Sequence, residues 1–196
     1  MLAVDADGNA VDGDQIIAIL ALHLGVDVVA VTQMTNLGFH KLMAQRGIRV
    51  ITTDVGDRYV LEALESGGHS LGGEQSGHVI LAELATTGDG MLTGVQVLDL
   101  MARSGTPLAD LAASAMTQLP QVLHNVRVSS PVPDIAARIA ADIAAVETEL
   151  GETGRVLVRP SGTEPVVRVM VEAADPARAA AAIDDLVAAV GRECGV

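Results

Sequence analysis

Arg159-Pro160-Ser161-Gly162-Thr163-Glu164-Pro165 packs the most chemistry into the shortest stretch of this chain. It lies between two apolar runs that read as strands. A turn rich in Ser, Gly and Thr can aim backbone N–H groups and two hydroxyls at one point, which makes a nest for a phosphate. Arg159 adds a permanently charged planar fork matched to phosphate oxygens. The same composition also suits an ordinary hairpin loop, with Pro and Gly setting the turn and the hydroxyls satisfying its backbone. A second stretch, Gly72-Gly73-Glu74-Gln75-Ser76-Gly77-His78, gathers a carboxylate, an amide, a hydroxyl and an imidazole between glycines that let backbone approach a ligand closely. Such a set suits a polyhydroxylated ligand, because a carboxylate accepts two sugar hydroxyl protons while its neighbours donate or accept. A Gly-rich turn around a packed His78 is the plainer alternative. Third, Thr53-Asp54-Val55-Gly56-Asp57-Arg58 sets a charged turn between a strand's C-terminal end and a helix start. Open α/β sheets bind ligands at that edge. N-capping by Asp57 with a solvated Arg58 accounts for the same residues.

Several lookalikes fail. Asp5-x-Asp7-x-Asn9 begins like a calcium loop, but Ala10 stands where that loop needs Gly and Ile16 where it needs Glu. Asp12-Gly13-Asp14 reads as capping at a helix start, with no third metal ligand nearby. Gly88-x-Gly90-x-x-x-Gly94 misses the dinucleotide spacing, and Gly73-x-x-Ser76-Gly77 is not a nucleophile elbow. His23, His40, His69, His78 and His124 are dispersed without metal-ligand spacing, so they suggest no metal site.

The elements that must position these loops follow from periodicity and punctuation. Leu2 to Val4 is a short strand ending in a turn, after which Asp12 or Asp14 caps a helix over 15–24. Strands over 27–32 and 48–53 flank a helix over 37–46 closed by Gly47; Asp57 caps a helix over 59–65. Two short strands fall within 71–81, then helices over 90–104 and 108–116. This rhythm predicts an α/β domain with a mixed, mostly parallel sheet. From Val122 the order changes to strand 122–128, helix 134–150, strand 156–159, loop, strand 166–172 and helix 176–192, a small α+β domain. The expected division is therefore a domain over 1–116 with the Glu74 loop, a linker over 117–121, and a domain over 122–196 with the Arg159 loop.

Composition bounds what these domains can do. Of 196 residues, 49% are hydrophobic and only 19% charged, far from the composition of a disordered chain. With 25 acidic against 12 basic residues, a net charge of −13 and no Trp, neither the electrostatics nor the stacking material for nucleic acid is present. An anionic ligand needs a local site. No apolar run approaches a membrane span, the chain opens without a signal-like apolar core, and the single Cys194 can form no internal disulfide. A cytoplasmic location is expected.

Taken together, in order and spacing, the Glu74 and Arg159 loops resemble the α-D-phosphohexomutase superfamily. Val11-Asp12-Gly13-Asp14-Gln15, Val55-Gly56-Asp57-Arg58-Tyr59-Val60 and Thr86-Thr87-Gly88-Asp89-Gly90 are similar, within it, to the bacterial phosphoglucosamine mutase family. The resemblance covers essentially the whole chain. It implies a C-terminal fragment of an isomerase that interconverts glucosamine 6-phosphate and glucosamine 1-phosphate through a phosphoserine and a bisphosphate intermediate. Family members hold Mg²⁺ on the serine phosphate and an Asp-Gly-Asp-x-Asp-Arg loop. Leu2-Ala3-Val4-Asp5 resembles the strand that follows that loop, so the resemblance implies that the metal loop, the phosphoserine and the N-terminal half of the enzyme are missing from this sequence, which is expected to hold no catalytic residue and to be inactive alone.

By the same resemblance, Glu74, Ser76 and His78 contact the sugar, Asp57 and Arg58 face the substrate, and Arg159, Ser161, Gly162 and Thr163 grip the phosphate that is not being transferred. The expected partners are a small phosphosugar and the missing half of the enzyme. A non-catalytic phosphosugar-binding module, or a phosphohexomutase for another hexose, is the alternative.

Overall fold

A computed structural model describes residues 1–162 and 164–196. The chain divides into two units, Met1–Gln118 and Leu119–Val196, each with its own hydrophobic core.

The first unit opens with a two-stranded hairpin, β1 (Ala3–Val4) and β2 (Ala10–Val11). Asp5 closes the turn between them. Its Oδ1 accepts from the Asp7 N–H (3.0 Å) and the Asn9 N–H (2.8 Å), while Oδ2 accepts from Asn9 Nδ2 at 3.0 Å. These bonds from Asn9 hold its carboxyl below the usual carboxylate range. The apparent calcium loop is thus a hydrogen-bonded turn. The second strand is an addition to the sequence reading, being too short to register as a periodic run.

The main sheet follows. Helix α1 (Gly13–Leu24) leads to β3 (Val28–Thr32), α2 (Leu37–Arg46), β4 (Arg49–Thr53), α3 (Asp57–Gly67), β5 (Leu71–Gly73) and β6 (Val79–Leu81). Strand order is β4-β3-β5-β6, parallel except for the antiparallel β5–β6 pair. Helices α4 (Gly90–Ser104) and α5 (Leu108–Ala115) complete the unit. Alternation along β3 sends Val29 and Val31 to one face, where they pack with Ile16, Ile17, Leu20, Phe39 and Met43 of α1 and α2. Ala30 faces the other way, against Val60 and Leu64 of α3. The chain winds outward from β3 to β4, then returns to β5 on β3's other side. That reversal opens a crevice beyond the strands' C-terminal ends.

Asp12, not Asp14, caps α1: its Oδ1 accepts from Gln15 N at 3.0 Å and the Gln15 side chain returns a bond to Asp12 N, a capping box. Asp14 is fully buried and accepts from the Asn36 N–H at 2.8 Å, fixing the turn before α2. The start of α3 also differs from expectation. Asp57 is its first residue rather than its cap, which is Gly56, and the Asp57 carboxylate accepts from the Arg58 N–H (2.9 Å).

The second unit is a three-stranded antiparallel sheet, ordered β7-β9-β8, covered on one face by helices. Strand β7 (Gln121–Arg127) is followed by α6 (Ile135–Arg138), α7 (Ala140–Leu150), β8 (Arg155–Pro160), β9 (Val166–Glu172) and α8 (Pro176–Cys194). The single helix expected over 134–150 is broken at Ile139, whose ψ of 24° leaves the helical path. Tertiary packing accounts for the break: Ile135 and Ile139 are both buried, α6 packs on β8, and α7 is turned so that it meets both β8 and α8. No helix among the described residues is long and apolar enough to cross a membrane.

Removing the Asp14 carboxylate strands a buried N–H. Asp14→Ala is expected to lower unfolding free energy by about 2 kcal/mol, read by urea titration; an unchanged midpoint contradicts the role given to this carboxylate.

Candidate functional site

Residues from three strand ends meet at the crevice of the first unit. A cleft of about 230 Å³ is lined by Thr32 at the end of β3, Met34, Val55 after β4, and Glu74, Gln75 and Ser76 after β5. The loop that carries the last three is tightly folded: Glu74 N–H donates to His78 O (3.0 Å) and Gly77 N–H to Glu74 O (2.9 Å). Gly77 completes the turn at a φ of 91°, a left-handed value that glycine adopts without penalty.

Two long-range contacts aim the loop. Glu74 Oε1 accepts from the Gly56 N–H at 3.1 Å, so the carboxylate sits at the start of α3, where orphan N–H groups and the helix dipole favour negative charge. From the other side, Gly13 N–H donates to Gln75 O at 3.0 Å. A Cβ at Gly13 would stand 2.6 Å from Gly77 N and 2.7 Å from Gln75 O, and closer still to Glu74 O. Only glycine lets α1 come this near.

His78 Nε2 lies 3.2 Å from Asp57 Oδ2, within ion-pair reach but outside hydrogen-bond geometry. Both side chains stay partly open to solvent. Ser76 is exposed at the cleft. Arg58 is held differently: its Nε is 3.5 Å from Glu62 Oε1 and its guanidinium lies 4.8 Å from the centre of the Tyr59 ring, on the solvent side of α3 and outside the residues lining the cleft. The structure therefore groups Glu74 with Ser76 and pairs His78 with Asp57, while Arg58 stands apart.

In the second unit, Arg159 ends the apolar part of β8, with Ser161 and Gly162 just beyond it. Thr163 lies outside the described residues. Ser161 N–H donates to Val166 O (2.8 Å), Val166 N–H to Glu164 O (2.8 Å) and Val128 N–H to Pro165 O (3.0 Å), which ties the loop to both neighbouring strands. Ser161 is nearly buried, while Gly162 is exposed.

Sequence reasoning missed Arg168. Strand pairing sets it directly opposite Arg159, and Asn125 of β7 opposite Arg168, so two guanidiniums and an amide share one level of the sheet. Arg168 Nη2 stands 4.0 Å from Glu164 Oε2. Alternation in Val166-Val167-Arg168-Val169 marks Arg168 as lying off the valine face, but its partner depends on register. Among the described residues no three His, Cys, Asp or Glu side chains come together as a metal site.

Two family models match this architecture: the phosphoglucomutase/phosphomannomutase alpha/beta/alpha domain III over residues 12–119, and the C-terminal domain of the same family over 123–190. The chain belongs to the phosphoglucomutase/phosphomannomutase family. Among similar members of that family, the phosphoglucosamine mutase of Frankia alni is 59% identical over 179 residues, spanning 88% of this chain and 39% of that protein. That of Thermobifida fusca is 53% identical over 201 residues, spanning 99% and 44%. The chain thus spans about two fifths of the length of the curated relatives it matches. The fold is also that of an Aspergillus fumigatus N-acetylphosphoglucosamine mutase, solved in complex with GlcNAc-6P and magnesium, with a TM-score of 0.79 at 21% identity, covering 100% of this chain and 46% of that one.

The contact at Gly13 gives a direct test. Gly13→Ala is expected to destabilise the first unit by about 3 kcal/mol through overpacking against backbone, whereas Gly25→Ala, in open space at a φ of 65°, costs about 1 kcal/mol. Comparable denaturation midpoints for the two variants would contradict the close approach.

Proposed function

We propose that this chain is the sugar- and phosphate-recognition part of a phosphoglucosamine mutase, acting within an enzyme that interconverts glucosamine 6-phosphate and glucosamine 1-phosphate. The observation that carries this reading is the preorganised Glu74 carboxylate, held at the helix α3 N-terminus in a cleft at the sheet's switch point. The named relatives at more than 50% identity supply its substrate class.

In this reading Glu74 accepts hydroxyl protons of the hexose. The bond from Gly56 holds one carboxylate oxygen in place, so the other is presented without reorganisation cost. Ser76 supplies a hydroxyl beside it, and His78 with Asp57 forms a polar pair that fixes the ring's orientation. Arg159, Ser161, Gly162 and Thr163 grip the phosphate not being transferred, and Arg168 adds a second guanidinium at the same level. A mutase must bind its sugar in two orientations, with either phosphate distal. One anchor for the distal group serves both, and its binding energy positions the reacting group from a distance. Acid residues elsewhere in the chain keep the surface negative, so the anchor attracts a compact anion rather than a polyanion.

Magnesium enters this reading only for the full-length enzyme, where it neutralises charge developing on the transferred phosphoryl group. In this reading its ligands belong to the part of the enzyme that carries the phosphoserine. The remaining partner is the portion of the enzyme that supplies the phosphoserine, and a cytoplasmic location accords with the reading.

Titration of the isotope-labelled 196-residue chain with glucosamine 6-phosphate is expected to shift amides of 74–78 and of 159–162. Arg159→Ala is expected to weaken binding at least about tenfold, the scale of a lost charge-assisted hydrogen bond, and Glu74→Ala to weaken sugar phosphate but not inorganic phosphate. Unchanged affinity in Arg159→Ala overturns the assignment of the anchor. In a coupled assay the chain by itself is expected to bind without turnover; mutase activity in a preparation free of full-length enzyme contradicts the division of labour.

A further inference from the structure

The sheet of the second unit carries two polar levels on one face. At one end Gln121, Glu172 and Arg155 stand side by side; four residues along each strand, Asn125, Arg168 and Arg159 do the same. The first level is tightly bonded. Glu172 is completely buried, accepting at Oε2 from Arg155 Nε (3.0 Å) and at Oε1 from Gln121 Nε2 (2.9 Å).

We propose that Glu172, acting through Arg155 and Gln121, is a positioning residue that locks strand register and thereby holds Arg159 opposite Arg168. The proposal rests on reading the loop after Arg159 as an anion seat. Its argument starts from what the apolar pattern leaves undecided. A slip of one residue between β8 and β9 would turn Arg159 into the core, where Val158, Val167, Val169 and Val171 pack with Ile183 and Leu186, so hydrophobic burial forbids it. A slip of two residues meets no such objection. Val156 and Val158 on β8, and Val167, Val169 and Val171 on β9, repeat with a period of two; Val156 faces Val171 and Val158 faces Val169, and after a shift of two Val158 still meets a valine, Val167 or Val171.

Strand pairing at the loop end raises no objection to that slip either. Like charges directly opposite each other are destabilising, and a shift of two moves Arg159 from Arg168, which also has Glu164 Oε2 at 4.0 Å, to Val166 or Met170. At the other end the same shift sets Glu172 opposite Thr153 or Leu157, leaving a buried carboxylate without its cation. Breaking a buried pair in this way is strongly unfavourable. The Glu172 level therefore opposes a displacement that the valine pattern permits. It secures the juxtaposition of two guanidiniums that an anion seat uses.

The test uses the full 196-residue chain, inorganic phosphate as probe, and cross-strand NOEs between β8 and β9 as a direct readout of register. In Arg155→Leu/Glu172→Leu the buried charges are removed together, and the melt is expected to stay cooperative. The NOEs are expected to report a shifted or mixed register, and phosphate affinity at 159–168 to fall at least fivefold. The reversed pair, Arg155→Glu/Glu172→Arg, is expected to restore both. A double leucine variant with native NOEs, or with altered NOEs and unchanged phosphate affinity, overturns the proposal. So does one that no longer melts cooperatively, since the pair then holds the fold rather than its register. Absence of phosphate-induced shifts in the unmodified chain would sink the anion-seat reading instead, and the NOEs would still decide the lock.

Discussion

Everything at the first unit's cleft depends on how closely one helix is allowed to approach one loop. Gly13 brings the start of α1 against the backbone of 74–77, and its N–H bonds to Gln75 O. The flanking aspartates extend that contact in two directions. Asp12 caps the helix whose first turn makes the approach, and Asp14 reaches inward to hold the Asn36 N–H before α2. Three consecutive residues thus tie together the helix start, the cleft-lining loop and the turn after β3. The charged tripeptide is a structural fastening, with Asp12 and Asp14 each accepting from a backbone N–H and Asp12 also from the Gln118 amide.

The bond from Gly56 to Glu74 Oε1 completes the arrangement from the opposite side. A carboxylate held by an N–H at a helix start is favoured electrostatically and restricted in rotation, so its direction is determined before any ligand arrives. In the second unit two guanidiniums, Arg159 and Arg168, stand opposite each other near one end of the sheet, and the fully buried Glu172, bonded to Arg155 and Gln121, stands at the other end of the same three strands.

Local signals made much of this readable in the sequence. Helices 37–46 and 90–104 have residues at both ends whose backbone preferences stop a helix, Asn36 and Gly47 for one, Asp89 and Gly105 for the other. The valine alternation of 166–172 leaves little choice of conformation. What escaped reading was set by distant partners. Nothing near Ile139 in sequence marks a break, because the cause is simultaneous packing of α6 on β8 and α7 on α8. Asp57 looked like a cap because its type and place fit one; its carboxylate instead has His78 nearby, from another loop. Arg168 gained meaning only when the pairing with Arg159 was known, since alternation gives a face and not a neighbour. At the candidate site the residue types were legible in two loops, whereas their anchoring to Gly56 and Gly13 was not.

The stacking of Arg58 on Tyr59 has an optical consequence. The chain holds one tyrosine, one phenylalanine and no tryptophan, so emission excited in the tyrosine band arises from a single ring. That ring sits in the first turn of α3, three residues past the Gly56 N–H that holds Glu74, with a guanidinium over its face. The protein carries one built-in tyrosine fluorophore close to the candidate cleft of its first unit. Movement of the α3 start is therefore visible in the unlabelled chain.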